Sequence, residues 1–230
     1  MSTSVHPLHA GDRAPDFELP AVNREGRVSL ADYRGKPVFV ALFRGLHCAF
    51  CRRHLALLSG TQEKLAKEGV ETVAVVNTQP ERARQYFQYR PTRVVLAADP
   101  EVQTHRAFGL PAFDIVPDET DPAQLQWPQN TTMQQLAQIS TTVDGELPKP
   151  MNLFEALETL DARDHFETMP ADEESYTRHA GQLCGQFLID ASGTIRWSFV
   201  EAPDGPNQIW PFGVSPSDEE ILAAARQVTH

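Results

Sequence analysis

Between Pro37 and Phe108 the hydrophobic pattern changes period again and again, and this alternation constrains the fold more than any other feature. Pro37–Phe43 (Pro-Val-Phe-Val-Ala-Leu-Phe) is a nearly continuous apolar run, short and rich in β-branched and aromatic residues. It reads as a strand buried on both faces. From Cys51 to Lys67 the period becomes helical, with Leu55, Leu58 and Leu65 recurring among Arg52, Arg53, Gln62, Glu63, Lys64 and Lys67. Gly69 stops that helix, and Val70–Val76 is a second buried strand. Pro80–Tyr89 then reads as a helix, Val94–Ala97 as a strand, and Pro100–Phe108 as a helix closed by Gly109 and Pro111. Strand, helix, strand, helix, strand implies right-handed parallel crossovers and an α/β sheet.

Simpler elements flank this unit. Asp16–Leu19 and Arg27–Leu30, split by Asn23-Arg24-Glu25-Gly26, predict an N-terminal hairpin. Gln186–Asp190 and Thr194–Val200, joined by Ala191-Ser192-Gly193, predict a second one. Asp218–Val228 reads as a closing helix, with Ser217 and Glu220 as its capping box and Ile221, Leu222 and Ala225 on its buried face.

Charge is concentrated in one place. The 230-residue chain has a net charge of −11, which disfavours a nucleic-acid partner because binding would begin in repulsion. Residues 111–180 carry that whole excess, with 14 acids against Lys149, Arg163 and Arg178. They are expected to present a solvated acidic face. Seventy residues without structure do not fit a compact domain, so helices are expected at Thr132–Ile139 and at Leu153–Arg163, the latter with Leu153, Phe154, Leu157 and Leu160 on one face. The organisation predicted is one domain over 1–230 with an acidic, largely helical insertion at about 111–180. No stretch approaches the roughly 18–20 apolar residues of a membrane span. Met1–Asp16 lacks the basic start and apolar run of a secretory signal. With three cysteines, two of them in one tight motif, the expected compartment is the cytoplasm.

That motif, Cys48-Ala49-Phe50-Cys51, lies where the first buried strand gives way to a helix. A thiol at a helix N-terminus faces unpaired N–H groups and the positive end of the dipole, both of which favour thiolate. Arg44, Arg52 and Arg53 can add potential of the same sign, with plain surface placement as the alternative for Arg44, and His47 is either a solvent-facing residue without a role or a neighbour that favours ionisation of the thiol. The two-residue spacing lets the sulfurs meet across one helical turn, so a disulfide can form and break by exchange. The expectation is an exposed, attacking Cys48 and a more buried resolving Cys51. Trp127, Trp197 and Trp210 are read as core or rim packing residues, with the lining of a pocket as the alternative.

Three stretches together resemble the peroxiredoxin-like (alkyl hydroperoxide reductase/thiol-specific antioxidant) branch of the thioredoxin-fold superfamily. They are Gly11–Pro20 with Val28–Pro37, Phe43–Arg52 around the CxxC, and Phe187–Arg196. The resemblance implies a thioredoxin-like fold, a central mixed sheet flanked by helices, with the N-terminal hairpin as an extension. It also locates two departures. On the family's Pro-x-x-x-Thr-x-x-Cys pattern, Arg44 takes the proline place, Cys48 the threonine place and Cys51 that of the peroxidatic cysteine, while the family's later arginine falls on Cys184. By the same resemblance Gly185 stands where thioredoxins carry a cis-proline facing the CxxC, which puts Cys184 beside Cys51. Cys184 is then a second resolving thiol, a metal ligand or a small buried filler.

Two function classes follow. One is a thiol-dependent oxidoreductase that cycles a Cys48–Cys51 disulfide to reduce peroxides or disulfides, with Cys48 or Cys51 attacking peroxide oxygen and Arg44, His47 and Arg52 in support. An external dithiol reductant of the thioredoxin or glutathione type would restore it. No organic cofactor or metal is implied, and homo-oligomerisation is left open. The alternative is a non-enzymatic protein that holds a metal or a partner through Cys48, Cys51 and Cys184. A further expectation is that the insertion lies as a lid over the active-site end of the sheet.

Overall fold

The computed structural model describes residues 6–141, 147, 149–201 and 213–229. The chain begins with a hairpin, β1 (Glu18–Pro20) and β2 (Arg27–Ser29), which pair antiparallel. Then follow β3 (Val38–Phe43), α1 (Ala49–Lys67), β4 (Glu71–Val76), α2 (Pro80–Gln88), β5 (Val95–Ala98) and a short α3 (Gln103–Ala107). The predicted Pro100–Phe108 helix is shorter than expected because Val102 takes a left-handed conformation, φ 50°, which cannot continue back toward Pro100.

The acidic segment holds β6 (Asp114–Val116), β7 (Asn130–Thr132), α4 (Met133–Ala137), β8 (Ser140–Thr141), β9 (Met151–Asn152), α5 (Leu153–Asp164) and α6 (Pro170–His179). The last elements are β10 (Gly185–Ile189), β11 (Ile195–Val200) and α7 (Asp218–Thr229). The five-stranded sheet runs in the order β11-β10-β3-β4-β5, with β3, β4 and β5 parallel and β10 antiparallel to both its neighbours. This is the thioredoxin-like arrangement of a mixed sheet between helices.

The sheet is apolar on both faces, as the continuous hydrophobic run of β3 requires. Phe39, Ala41 and Phe43 pack with Leu55, Leu58 and Leu65 of α1 and with Ile221 of α7. Val38, Val40 and Leu42 face the other way, onto Leu19 and Val28 of the hairpin and Phe108. Each buried leucine contributes about 1.5–3 kcal/mol relative to exposure. Trp197 stacks on Phe39 and Trp127 packs at a tilt against Phe113, with centroids 6.3 and 5.2 Å apart, so both are packing residues; Trp210 lies outside the described residues.

Register places the site. In the antiparallel pairs Gly185 lies opposite Leu42 on one side and Val200 on the other. The residues just past those positions, Arg44, Cys184 and Glu201, therefore meet at one end of the sheet. A side chain at 185 has no room: a Cβ there would stand 2.6 Å from Leu110 Cδ2. The insertion leaves and returns at the same end, where the Leu183 and Phe113 N–H groups donate to the Pro111 and Gly181 carbonyls at 3.0 and 3.1 Å.

Candidate active site

Cys48 is the N-cap of α1 (φ −91°, ψ 109°), and its sulfur accepts from the Cys51 N–H at 3.4 Å. The thiol thus sits at the helix tip that the strand-to-helix junction predicts. The loop before it is held on both sides: the Leu46 N–H donates to Thr78 Oγ1 at 2.9 Å, and the Leu46 carbonyl accepts from Arg52 at 2.6 Å. A Cβ on Gly45 would lie 2.6–2.8 Å from Ser175 Oγ, Asn77 Oδ1 and His47 Nδ1, so this loop approaches the insertion as closely as only glycine allows.

Arg44 is the cation at the sulfur. Its Nε donates to Cys48 Sγ at 3.4 Å, and its guanidinium forks onto Glu201 at 2.8 and 3.0 Å and reaches the Gln182 carbonyl at 3.1 Å. Glu201 also accepts from the N–H groups of Cys184 (3.2 Å) and Gly213 (3.3 Å), so this buried carboxylate is fully engaged. Burial raises the Cys48 thiol pKa, but the Cys51 hydrogen bond and the Arg44 charge outweigh it and bring the value down to about 6. Burial drives the Cys51 thiol the opposite way, well above its ordinary value, and contact with both other cysteines adds to this. The two sulfurs are therefore unequal, with Cys48 the thiolate and Cys51 the thiol.

Several expectations need correction. Cys48 is not exposed; at 5% accessibility it is buried nearly as deeply as Cys51 at 2%. It lies at the base of a cavity of about 130 Å³ whose walls come mostly from the insertion, including Phe113, Leu136, Leu153, Phe154, Leu157 and Tyr176. His47 lines the same cavity but adds no charge: burial, then Arg44 and Arg52, hold its pKa down at about 3. Arg52 does not face the thiol either. It contacts Asp161, lies 3.7 Å from Asp164, and stacks 3.8 Å from the Phe166 ring centroid. Its part is to fasten the Leu46 carbonyl and the insertion together.

The acidic segment is likewise more than a solvated face. Asp172 of α6 is fully buried against Arg82 of α2, at 2.7–2.8 Å, and Ser175 Oγ donates to the Asn77 carbonyl at 2.7 Å. Acids from the insertion thus neutralise buried arginines of the core, and its apolar residues roof the thiol. Cys184 lies outside that cavity, half-buried, with its sulfur 3.6 Å from Cys51 Sγ. Among the described residues no cluster of three His, Cys, Asp or Glu side chains is arranged to hold a metal.

Glu201 is the residue that sequence reasoning missed. Its signal was indirect: an acid ending an apolar strand, in register beside Cys184 and across the sheet end from Arg44.

Residues 10–136, more than half the chain, match the AhpC/TSA family. The chain belongs to the AhpC/TSA family. Peroxiredoxin Bcp of Escherichia coli is 28% identical over 106 residues, 46% of this chain and 67% of that protein. Two solved structures share the fold. Peroxidoxin BcpB of Mycobacterium tuberculosis has a TM-score of 0.53 at 12% identity, covering 96% of this chain and 98% of that one. The reduced 2-Cys peroxiredoxin of Plasmodium vivax has a TM-score of 0.55 at 14% identity, covering 95% and 81%. Membership makes this AhpC/TSA chain a thiol-dependent oxidoreductase, and no helix among its described residues is long and apolar enough to cross a membrane.

Proposed function

We propose that this AhpC/TSA protein reduces peroxides through a Cys48 thiolate and a Cys48–Cys51 disulfide. The observation that carries the reading is the Arg44 guanidinium 3.4 Å from a sulfur that caps a helix. Cys48 thiolate attacks the peroxide oxygen and becomes a sulfenic acid, and the displaced alkoxide or hydroxide takes up a proton. The Cys51 thiol then attacks the Cys48 sulfur, water leaves, and the disulfide closes. A dithiol of the thioredoxin or glutathione type returns both cysteines to the reduced state. The neutral His47 imidazole, whose ring nitrogens have no hydrogen-bond partner among the described residues, is a polar group on the cavity wall suited to a peroxide oxygen. Apart from His47, Arg44 and Cys48 the cavity wall is mostly apolar, and the space is of the size that holds a small ring or a short branched alkyl group. Three cysteines, two of them in one tight motif, suit a reducing cytoplasm, and residues 1–230 are read as one domain with the insertion as its lid.

Arg44 favours this reading over the metal-binding alternative, because its Nε already donates to the Cys48 sulfur and a metal would have to displace that contact. The test is peroxide consumption with a dithiol donor in wild type, Cys48→Ser and Cys51→Ser. Loss in Cys48→Ser, with a sulfenic acid trapped at Cys48 in Cys51→Ser, supports the assignment. Full activity in Cys48→Ser refutes it. A mixed disulfide trapped in Cys51→Ser, with no peroxide consumed by wild type, makes the protein a disulfide reductase instead.

A further inference from the structure

We propose that Cys184 is a third redox thiol, which takes over the disulfide at Cys51 and so frees Cys48 while the oxidised pair becomes Cys51–Cys184. The inference rests on the Cys48–Cys51 reading above and deepens it. Its first support is position. Cys51 Sγ lies 3.6 Å from Cys184 Sγ, contact distance for two thiols. The Cys51 N–H also donates to Cys48 Sγ at 3.4 Å, so Cys51 stands between the other two cysteines. The backbone of Cys184 is fixed by two hydrogen bonds to Glu201, N–H to carboxylate at 3.2 Å and carbonyl from N–H at 3.0 Å. Closing the remaining gap to a bond of about 2 Å needs side-chain rotation rather than a moving strand.

The exchange balances within the protein. The Cys184 thiol loses its proton to solvent, and its sulfur attacks Cys51 Sγ in the Cys48–Cys51 bond. That bond breaks, the Cys51–Cys184 bond forms, and the electron pair leaves on Cys48 as thiolate. No net oxidation or reduction occurs; one disulfide becomes another. Direction comes from the leaving group, since exchange expels the more acidic thiol faster, and Cys48 departs onto the Arg44 guanidinium.

Access gives the exchange a purpose. Among the described residues Cys48 lines the largely apolar cavity roofed by the insertion, whereas Cys184 is not part of that lining and is the least buried of the three thiols. An oxidised Cys51–Cys184 pair presents a sulfur that a protein dithiol can reach without entering the cavity. The oxidising substrate and the reductant then use different doors, and Cys48 is re-armed before the reductant arrives.

The experiment maps thiols in the full chain. Reduced wild type, Cys184→Ser and Cys48→Ser receive one equivalent of hydrogen peroxide, are acid-quenched and alkylated, and are digested for mass spectrometry. In wild type, Cys51–Cys184 should make up more than half of the disulfide, with Cys48 alkylated. Cys184→Ser should hold only Cys48–Cys51, and Cys48→Ser should form no disulfide at this dose. A second equivalent with dimedone should label Cys48 several-fold more in wild type than in Cys184→Ser. Oxidised wild type that contains Cys48–Cys51 alone, with Cys184 fully alkylated, overturns the relay and leaves the Cys48 reading intact. Cys51–Cys184 forming equally in Cys48→Ser also overturns it, because the pair would then be oxidised without passing through Cys48. If all three thiols of wild type stay alkylatable, the Cys48 reading fails and the relay with it.

Discussion

Neutralising the Arg44–Glu201 pair tests the source of the Cys48 thiolate. Arg44→Ala alone would strand a buried carboxylate at a cost of about 3–5 kcal/mol, so the informative variant is Arg44→Met with Glu201→Gln, in which the glutamine removes the charge and keeps one acceptor oxygen for the shorter of the two N–H contacts, that of Cys184, at the expense of the one from Gly213. It removes the Arg44 charge and hydrogen bond that lower the thiol and the Glu201 charge that raises it, leaving burial against the Cys51 hydrogen bond. At pH 7 a thiol near 6 is roughly 90% ionised and one returned to 9.0 is roughly 1% ionised. Reactivity does not fall by that whole factor. A more basic thiolate is intrinsically the better nucleophile by about 20-fold over three pH units, so the full shift lowers the rate at pH 7 only about 5-fold. The readout is therefore the profile: peptide-resolved alkylation of Cys48 from pH 4 to 10, with an inflection near 6 in wild type and at least about one unit higher in the variant. An inflection that moves by less than about half a unit refutes Arg44 as the cause.

Two other outcomes are expected. Asp172→Ala leaves Arg82 buried without its partner and should cost about 3–5 kcal/mol in urea unfolding, most of it recovered by Arg82→Met with Asp172→Leu; a single-variant cost below about 1 kcal/mol would show the pair is not a fastening. Burial depresses His47 to about 3 and His54 and His105 to about 4, below the ordinary 6.5. Down from pH 6.5 the unfolded chain takes up protons that the folded chain refuses, so stability is full above 6.5 and lost toward 4, at about 1.4 kcal/mol per pH unit for each histidine. Urea unfolding at pH 7 and 5 measures the slope, His105→Gln should remove one proton from it, and a flat profile would contradict the burial of these rings.

Local pattern governs the part of the fold that is legible in the amino-acid order. The apolar run of β3, the leucine spacing of α1, the two hairpins and the Ser217–Glu220 cap each carry their own signal, and each element stands within a few residues of its expected place. α6 is silent because its inward side chains are Asp172 and Ser175, polar groups that satisfy Arg82 and Asn77 and leave no hydrophobic period. The strand pairs of the insertion run two or three residues each, too short to alternate visibly. At the site the CxxC is legible, and so is Arg44 as a nearby cation. The neutrality of His47, the concealment of Cys48 and the part played by Glu201 are not, because each depends on a segment distant in sequence folding onto the loop at 44–48.

The two arginine anchors make the insertion and its host depend on each other chemically as well as in space. Trimming residues 111–180 to a short turn, in pursuit of a minimal scaffold, would leave the guanidinium groups of Arg52 and Arg82 in a dry interior with no anion to meet them. Any transplant of this segment between relatives has to carry those two cations along, so the appendage and its host can change only as a matched set.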